Sequence, residues 1–138
     1  MQKYVHKIED LEKLFDKLKF ETEKYDSVFS AILFRLDDSS RISEFQEFLL
    51  KYIRISDSVF MVSDNKVLLI LEDTTIRWAI NFGEDLAKKI KQKGFSYKYY
   101  CSAIQWDYIE SEKKLLKSLK KRLKKAKEEK IRECVIEL

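Results

Sequence analysis

Side chains able to do chemistry fall into three groups in this sequence. Asp37, Asp38 and Asp64 are carboxylates that would meet at one end of a sheet if their segments pair, and carboxylates so gathered can hold the ions of a two-metal phosphoryl-transfer site. The same residues also read as turn and cap formers, because aspartate favours tight turns and helix starts without any metal. Arg54 and Asp57 form the second group. A guanidinium fork grips phosphate, and a nearby carboxylate accepts N–H donors. Equally, Arg54 can interact with its own helix C-terminus and Asp57 can cap the start of a strand, each worth about 1 kcal/mol or less. The third group lies in residues 113–132, where eleven Lys or Arg face two Glu, a net +9 within a chain whose total is +4. Lys117, Lys120, Lys121, Lys124 and Lys125 are the centre of this basic surface. A solvated helix face, an acidic partner, an anionic lipid surface or nucleic acid would each account for it.

Other chemistry is excluded by counting. With two glycines and no proline the chain cannot build a glycine-rich phosphate loop of the Rossmann or P-loop type. One histidine, His6, and two cysteines, Cys101 and Cys134, give no zinc-ligand spacing, no C-x-x-C and no Cys-His nucleophile pair. His6 is expected on a helix surface and the cysteines as buried, reduced thiols.

The chain's 138 residues suit one domain spanning 1–138, and 45% hydrophobic with 38% charged residues describes a highly charged globular protein. No apolar run exceeds residues 67–71, far short of a membrane span, and the N-terminus lacks a secretory signal pattern. A cytoplasmic location is expected.

These groups must be positioned by elements that the periodicity outlines. Tyr4, Ile8, Leu11, Phe15 and Leu18 form an apolar stripe that predicts a helix from about Gln2 to Tyr25, with the spacing of a coiled-coil seam. Residues 28–36 read as a strand, followed by a helix burying Ile42, Phe45, Phe48, Leu49 and Ile53. Two β-rich runs, 58–62 and 67–71, flank a Ser-Asp-Asn-Lys turn in which Asp64 and Asn65 tolerate left-handed backbone. A helix from Thr74 or Thr75 to Gly94, a strand over 97–106, a basic helix from 112 to about 130 and a final strand at 133–138 complete the chain. The predicted class is α+β: a ferredoxin-like antiparallel sheet of β-α-β-β-α-β order, an extra N-terminal helix, a long basic C-terminal helix and a last strand.

From Leu11 onward the sequence resembles a GGDEF domain, the bacterial diguanylate cyclase module. Arg54 and Asp57 match the family's R-x-x-D at a helix end, and Ser63, Asp64, Asn65, Lys66 and Val67 stand where the letters G-G-D-E-F make the hairpin turn. The strand ending Arg35-Leu36-Asp37 looks like the family's D-x-D strand, and Glu72-Asp73-Thr74 with Ala79 and Glu84 looks like its segment after the hairpin. In active members the first carboxylate of D-x-D and the acidic third letter of the turn hold magnesium; this chain has Arg35 and Asn65 there. A divalent ion about 4 Å from the Arg35 charge would be repelled by roughly 8 kcal/mol at an effective dielectric of about 20. Only 21 residues lie between Arg35 and Asp57, fewer than active members use to hold phosphate and guanine.

The resemblance therefore implies a degenerate, truncated and catalytically inactive GGDEF-like domain of bacterial signal transduction, with no cofactor, acting as a regulatory interaction module. In the family's inhibitory site the R-x-x-D pair grips a guanine and a phosphate of cyclic di-GMP, so Arg54 and Asp57 imply a receptor for that nucleotide. The site's third contact, an arginine, aligns with Asp85, and Arg77, Lys88 or Lys89 would have to replace it. A protein partner, or self-association through the N-terminal helix, is the other expected interaction. The alternative function is a nucleic-acid-binding ferredoxin-like domain using the basic helix 113–132.

Overall fold

The computed structural model describes residues 3–94, 98–106 and 111–131. Five strands and four α-helices follow in the order β1 (Val5–Lys7), α1 (Leu11–Tyr25), β2 (Phe29–Leu36), α2 (Ile42–Tyr52), β3 (Ser58–Met61), β4 (Lys66–Glu72), α3 (Ile76–Gln92), β5 (Tyr99–Trp106) and α4 (Glu112–Glu128) among the described residues. The strands form one sheet in the order β1-β3-β4-β2-β5. From β3 to β5 every pairing is antiparallel, which is the expected ferredoxin-like order.

Strands β2 and β4 lie at the centre, and their near-continuous apolar sequence follows from being covered on both faces. Ile32, Phe34, Val67 and Leu69 pack against Phe45 and Leu49 of α2 and Ala79, Leu86 and Ile90 of α3. The alternate residues Ala31, Leu33, Leu68 and Ile70 pack against Leu11, Phe15 and Leu18 of α1 and Leu115, Leu119 and Leu123 of α4. The molecule is thus a three-layer sandwich with a core on each side of the sheet.

The N-terminus departs from expectation. Instead of one helix from Gln2, Val5–Lys7 form an edge strand parallel to Val59–Met61, a short 3-10 turn spans Ile8–Asp10, and α1 begins at Leu11. The sheet is therefore mixed. His6 sits on this strand, its ring 5.0 Å from that of Phe60 and 4.3 Å from that of Tyr4, rather than on a helix. The stripe residues Leu11, Phe15 and Leu18 are buried inside the chain, so they present no open coiled-coil seam.

The β3–β4 turn also differs. None of Ser63, Asp64 or Asn65 takes a positive φ; hydrogen bonds from the Val62 and Ser63 amides to the Lys66 carbonyl, at 3.0 and 3.3 Å, close the loop without left-handed residues. Cys101, on β5, is buried and disulfide-bonded rather than a reduced thiol, whereas Cys134 lies outside the described residues. The strand expected at 133–138 also lies outside them. Among the described residues no helix is long and apolar enough to cross a membrane.

Candidate functional site

The Arg54–Asp57 pair lies where α2 ends and β4 leaves the sheet. After Tyr52 the chain extends through buried Ile53, and the Asp57 amide donates to the Arg54 carbonyl at 3.0 Å, folding a tight turn. The Asp57 carboxylate accepts the Arg54 backbone N–H at 2.9 Å, its Nε at 3.2 Å and its Nη2 at 3.0 Å. It also accepts the Glu72 amide at 3.3 Å, tying the start of β3 to the end of β4. Its side chain is only 2% exposed and is occupied by four donors.

Arg54 is held differently. Its Nη2 also donates to Thr74 Oγ1 at 2.8 Å and to the Glu72 carbonyl, yet the side chain remains 55% exposed. The bond to Asp57 raises the Arg54 pKa further, with burial opposing and the charges of Asp57, Asp73 and Glu72 adding, so the guanidinium is a permanent cation. Asp73 takes a left-handed φ of 48°, which turns the chain out of β4. Thr74 is then fixed, its carbonyl accepting the Ser30 hydroxyl at 2.7 Å and its own hydroxyl donating to the Glu72 carbonyl at 2.7 Å. At the start of α3 the Ile76 amide donates to Gln105 Oε1 at 2.8 Å, satisfying a first-turn N–H.

Beside this pair opens a cleft of about 420 Å³, lined by Arg54, Asp73 and Thr74 and by Trp78, Asn81 and Asp85 of α3. Trp78 is 66% exposed, an unusual position for the largest side chain. Arg54 is the cation of the lining and Asp57, Asp73 and Asp85 are its anions. Of the replacements considered for a second cation, Lys89 stands over the Tyr52 ring at 4.6 Å, at the rim; Arg77 and Lys88 do not line the cleft. The sequence offered one signal for Trp78 that the helical pattern passed over: it falls beside the stripe of Ala79, Leu86 and Ile90 rather than on it.

Of the first group, Asp38 serves as a cap and Asp64 as a turn residue, and the Asp37 amide donates to the Lys98 carbonyl at 2.9 Å. Asp38 accepts the Ser40 amide at 3.0 Å and the Ser40 hydroxyl at 2.6 Å, and these bonds hold its carboxyl below the usual range. Asp64 is exposed in the hairpin turn. Among the described residues no three His, Cys, Asp or Glu side chains are grouped to hold a metal ion. At this end of the sheet Arg35 is instead the direct cross-strand partner of Lys66. Two cations there do not fit the divalent ion that the cyclase pattern would hold.

On α4, Lys117, Lys120, Lys121 and Lys124 are exposed and Lys125 is half-buried, while Leu115, Leu119, Leu123 and Ala126 face the core. The amphipathic reading of this helix holds, and its basic side faces solvent.

No family model and no curated protein matches the sequence. Solved structures match strongly. The GGDEF domain of DgcB from Caulobacter crescentus, solved in complex with c-di-GMP, superposes with a TM-score of 0.80 at 6% identity, covering 97% of this chain and 89% of that one. The active GGEEF domain of a diguanylate cyclase from Vibrio cholerae gives 0.79 at 13% identity, with 96% and 97% covered. A DGC protein from Thermotoga maritima gives 0.71 at 16% identity, with 89% and 95% covered. The chain has the fold of the GGDEF diguanylate cyclase domains.

Proposed function

We propose that this chain is a catalytically inactive GGDEF-like signalling domain that acts as a regulatory interaction module and receives cyclic di-GMP in the Arg54 cleft. The observation that carries the reading is the cleft itself, in which an exposed arginine, pinned by Asp57, stands beside an exposed tryptophan. In this reading Asp57 positions Arg54 and does not contact the ligand. Arg54 offers its fork to a phosphate or a guanine acceptor edge, Trp78 stacks on the base, and Asp73 or Asp85 accepts guanine N–H donors. The same aspartates oppose the phosphates, so affinity is expected to be modest. Inactivity rests on Arg35 and Asn65 standing where a magnesium-binding active site would need carboxylates, with Lys66 a second cation directly across from Arg35.

Calorimetric titration of the chain with cyclic di-GMP tests the receptor reading. Micromolar binding, weakened at least tenfold by Trp78→Ala and strengthened by Asp85→Arg, is the expected result. Silence, or binding indifferent to both substitutions, rejects it and leaves a module for protein partners. One structural neighbour, SiaD from Pseudomonas aeruginosa, is described in complex with its activator SiaC, a precedent for such a partner on this fold.

The exposed lysines of α4 favour a second reading, nucleic-acid binding. Its mark would be a steep salt dependence, about 0.9 log unit of affinity per log unit of salt for each phosphate neutralised. A flat response removes it.

A further inference from the structure

The Arg54 cleft is lined from α2 and α3, and the opposite side of the sheet is covered by α1 and α4. On α1, Leu11, Phe15 and Leu18 are buried against the sheet. Lys13, Lys17, Phe20 and Lys24, at helical spacing on the other side of that helix, are exposed. Phe20 is 57% exposed and Tyr25, the last residue of the helix, is 65% exposed. The Lys24 ammonium is close to both, 5.3 Å from the centre of the Phe20 ring and 5.4 Å from that of Tyr25. Two large rings held outward around a lysine are the informative exception on a helix whose other outward residues are charged.

The charge comes from α4. Its residues Glu112–Glu128 include nine Lys or Arg against two Glu, and with Leu115, Leu119 and Leu123 turned to the core, Lys113, Lys117, Lys121 and Lys124 are exposed on the outer side. Lys124 is offset by Glu128 at 4.0 Å, as Lys17 on α1 is by Glu21 and Glu72, each at 3.9 Å. α1 as a whole is neutral, four lysines against four acidic residues. The two helices run in opposite directions, because α1 leads into β2, α4 follows β5, and β5 is antiparallel to β2. Phe29, the first residue of β2, pairs with Trp106, the last of β5, and the rings of Phe15 and Trp106 lie 3.8 Å apart. The aromatic end of α1 and the first lysines of α4 therefore share one end of a two-helix layer.

We propose that the outer face of α1 and α4 docks on an anionic lipid surface. The lysines of α4 meet the negative headgroups, an attraction that acts over about a Debye length and draws the layer flat against the bilayer. Phe20 then enters the boundary between headgroups and acyl chains, while Tyr25 and Lys24 stay at headgroup level, where a ring with a polar tip and a lysine with a long apolar stem are both satisfied. Charge complementarity selects the anionic surface, and the outward aromatic pair selects lipid over nucleic acid. A duplex backbone would be met by the lysines alone and offers nothing to bury Phe20.

The test is co-sedimentation of the chain with vesicles of phosphatidylcholine, alone or with about 30% phosphatidylglycerol. Binding is expected to the anionic vesicles only, and to fall as salt rises. It should weaken about tenfold in Phe20→Ser/Tyr25→Ser and by a similar factor in Lys117→Gln/Lys121→Gln, while Phe20→Trp keeps it. All four positions are exposed, so the thermal unfolding midpoints should match the parent's, which separates lost docking from lost structure. A parallel arm replaces the vesicles by a DNA duplex. No binding to anionic vesicles, equal binding to neutral ones, or binding indifferent to Phe20→Ser/Tyr25→Ser overturns the proposal. So does duplex binding that depends on Lys117 and Lys121 while the vesicles stay bare. Trp78→Ala should leave vesicle binding unchanged, because the cyclic di-GMP cleft lies on the other side of the sheet.

Discussion

At the scale of single residues, the account turns on how one carboxylate is used. Asp57 takes four donors from Arg54 and Glu72, so it works as the fastener of the turn between α2 and β3. Asp57→Ala would leave the partly buried Arg54 and Glu72 amides without their acceptor and should cost about 2 kcal/mol in urea unfolding. A loss under about 0.5 kcal/mol would contradict this role. The spacing of Arg54 and Asp57 was legible in the sequence, but the saturation of Asp57 was not, since one of its donors comes from a strand fifteen residues further on. Glu72 supplies a pH test. Burial first, then Glu21, Asp57 and Asp73, raise its pKa above the ordinary 4.5, with Lys17 opposing. The folded state therefore holds this proton more tightly than the unfolded chain. Its contribution to stability is present below about pH 4.5 and is lost as pH rises through the raised folded value. Glu72→Gln should raise the unfolding midpoint at pH 7, with the gain shrinking to nothing below about pH 4.5. A gain that persisted in acid would point to another cause.

At the scale of elements, the strands and helices with their own period were readable, and those fixed by distant partners were not. The ladder of β2 with β4 and the apolar stripe of α4 follow from local pattern. The stripe from Tyr4 to Leu18 suggested one helix, but parallel pairing of Val5–Lys7 with β3 satisfies that backbone instead, and local period carries no trace of a partner more than fifty residues away. Likewise the hairpin turn gave the right place and the wrong backbone, because hydrogen bonds to the Lys66 carbonyl close it without left-handed residues. The packing of α4 and the exposure of Trp78 on α3 give opposite expectations. Leu119 is fully buried, and Leu119→Ala should destabilise by about 3 kcal/mol. Trp78→Ala, at an exposed site, should change stability by less than about 0.5 kcal/mol. A large loss for Trp78→Ala would mean that the indole is structural and would remove it as a ligand contact.

At the scale of the whole molecule, a net charge of +4 conceals a polarised sheet. The end at Glu72 gathers Asp57, Asp73 and Asp85 around Arg54, and the end at Lys66 sets Arg35 directly across the strand pair from that lysine. The sequence showed the basic helix but not this polarity, which depends on the cross-strand register of Arg35 with Lys66. Because Leu11, Phe15 and Leu18 are consumed in the core, light scattering should give the 16.6 kDa of one chain over a wide concentration range. A stable dimer would require a surface other than that stripe. The central claim, that the cleft beside Arg54 receives cyclic di-GMP, is met most directly by following tryptophan fluorescence during titration with the nucleotide. A saturable change that disappears in Trp78→Phe is the expected result. Unchanged emission at saturating nucleotide, or the same change in Trp78→Phe, would contradict it.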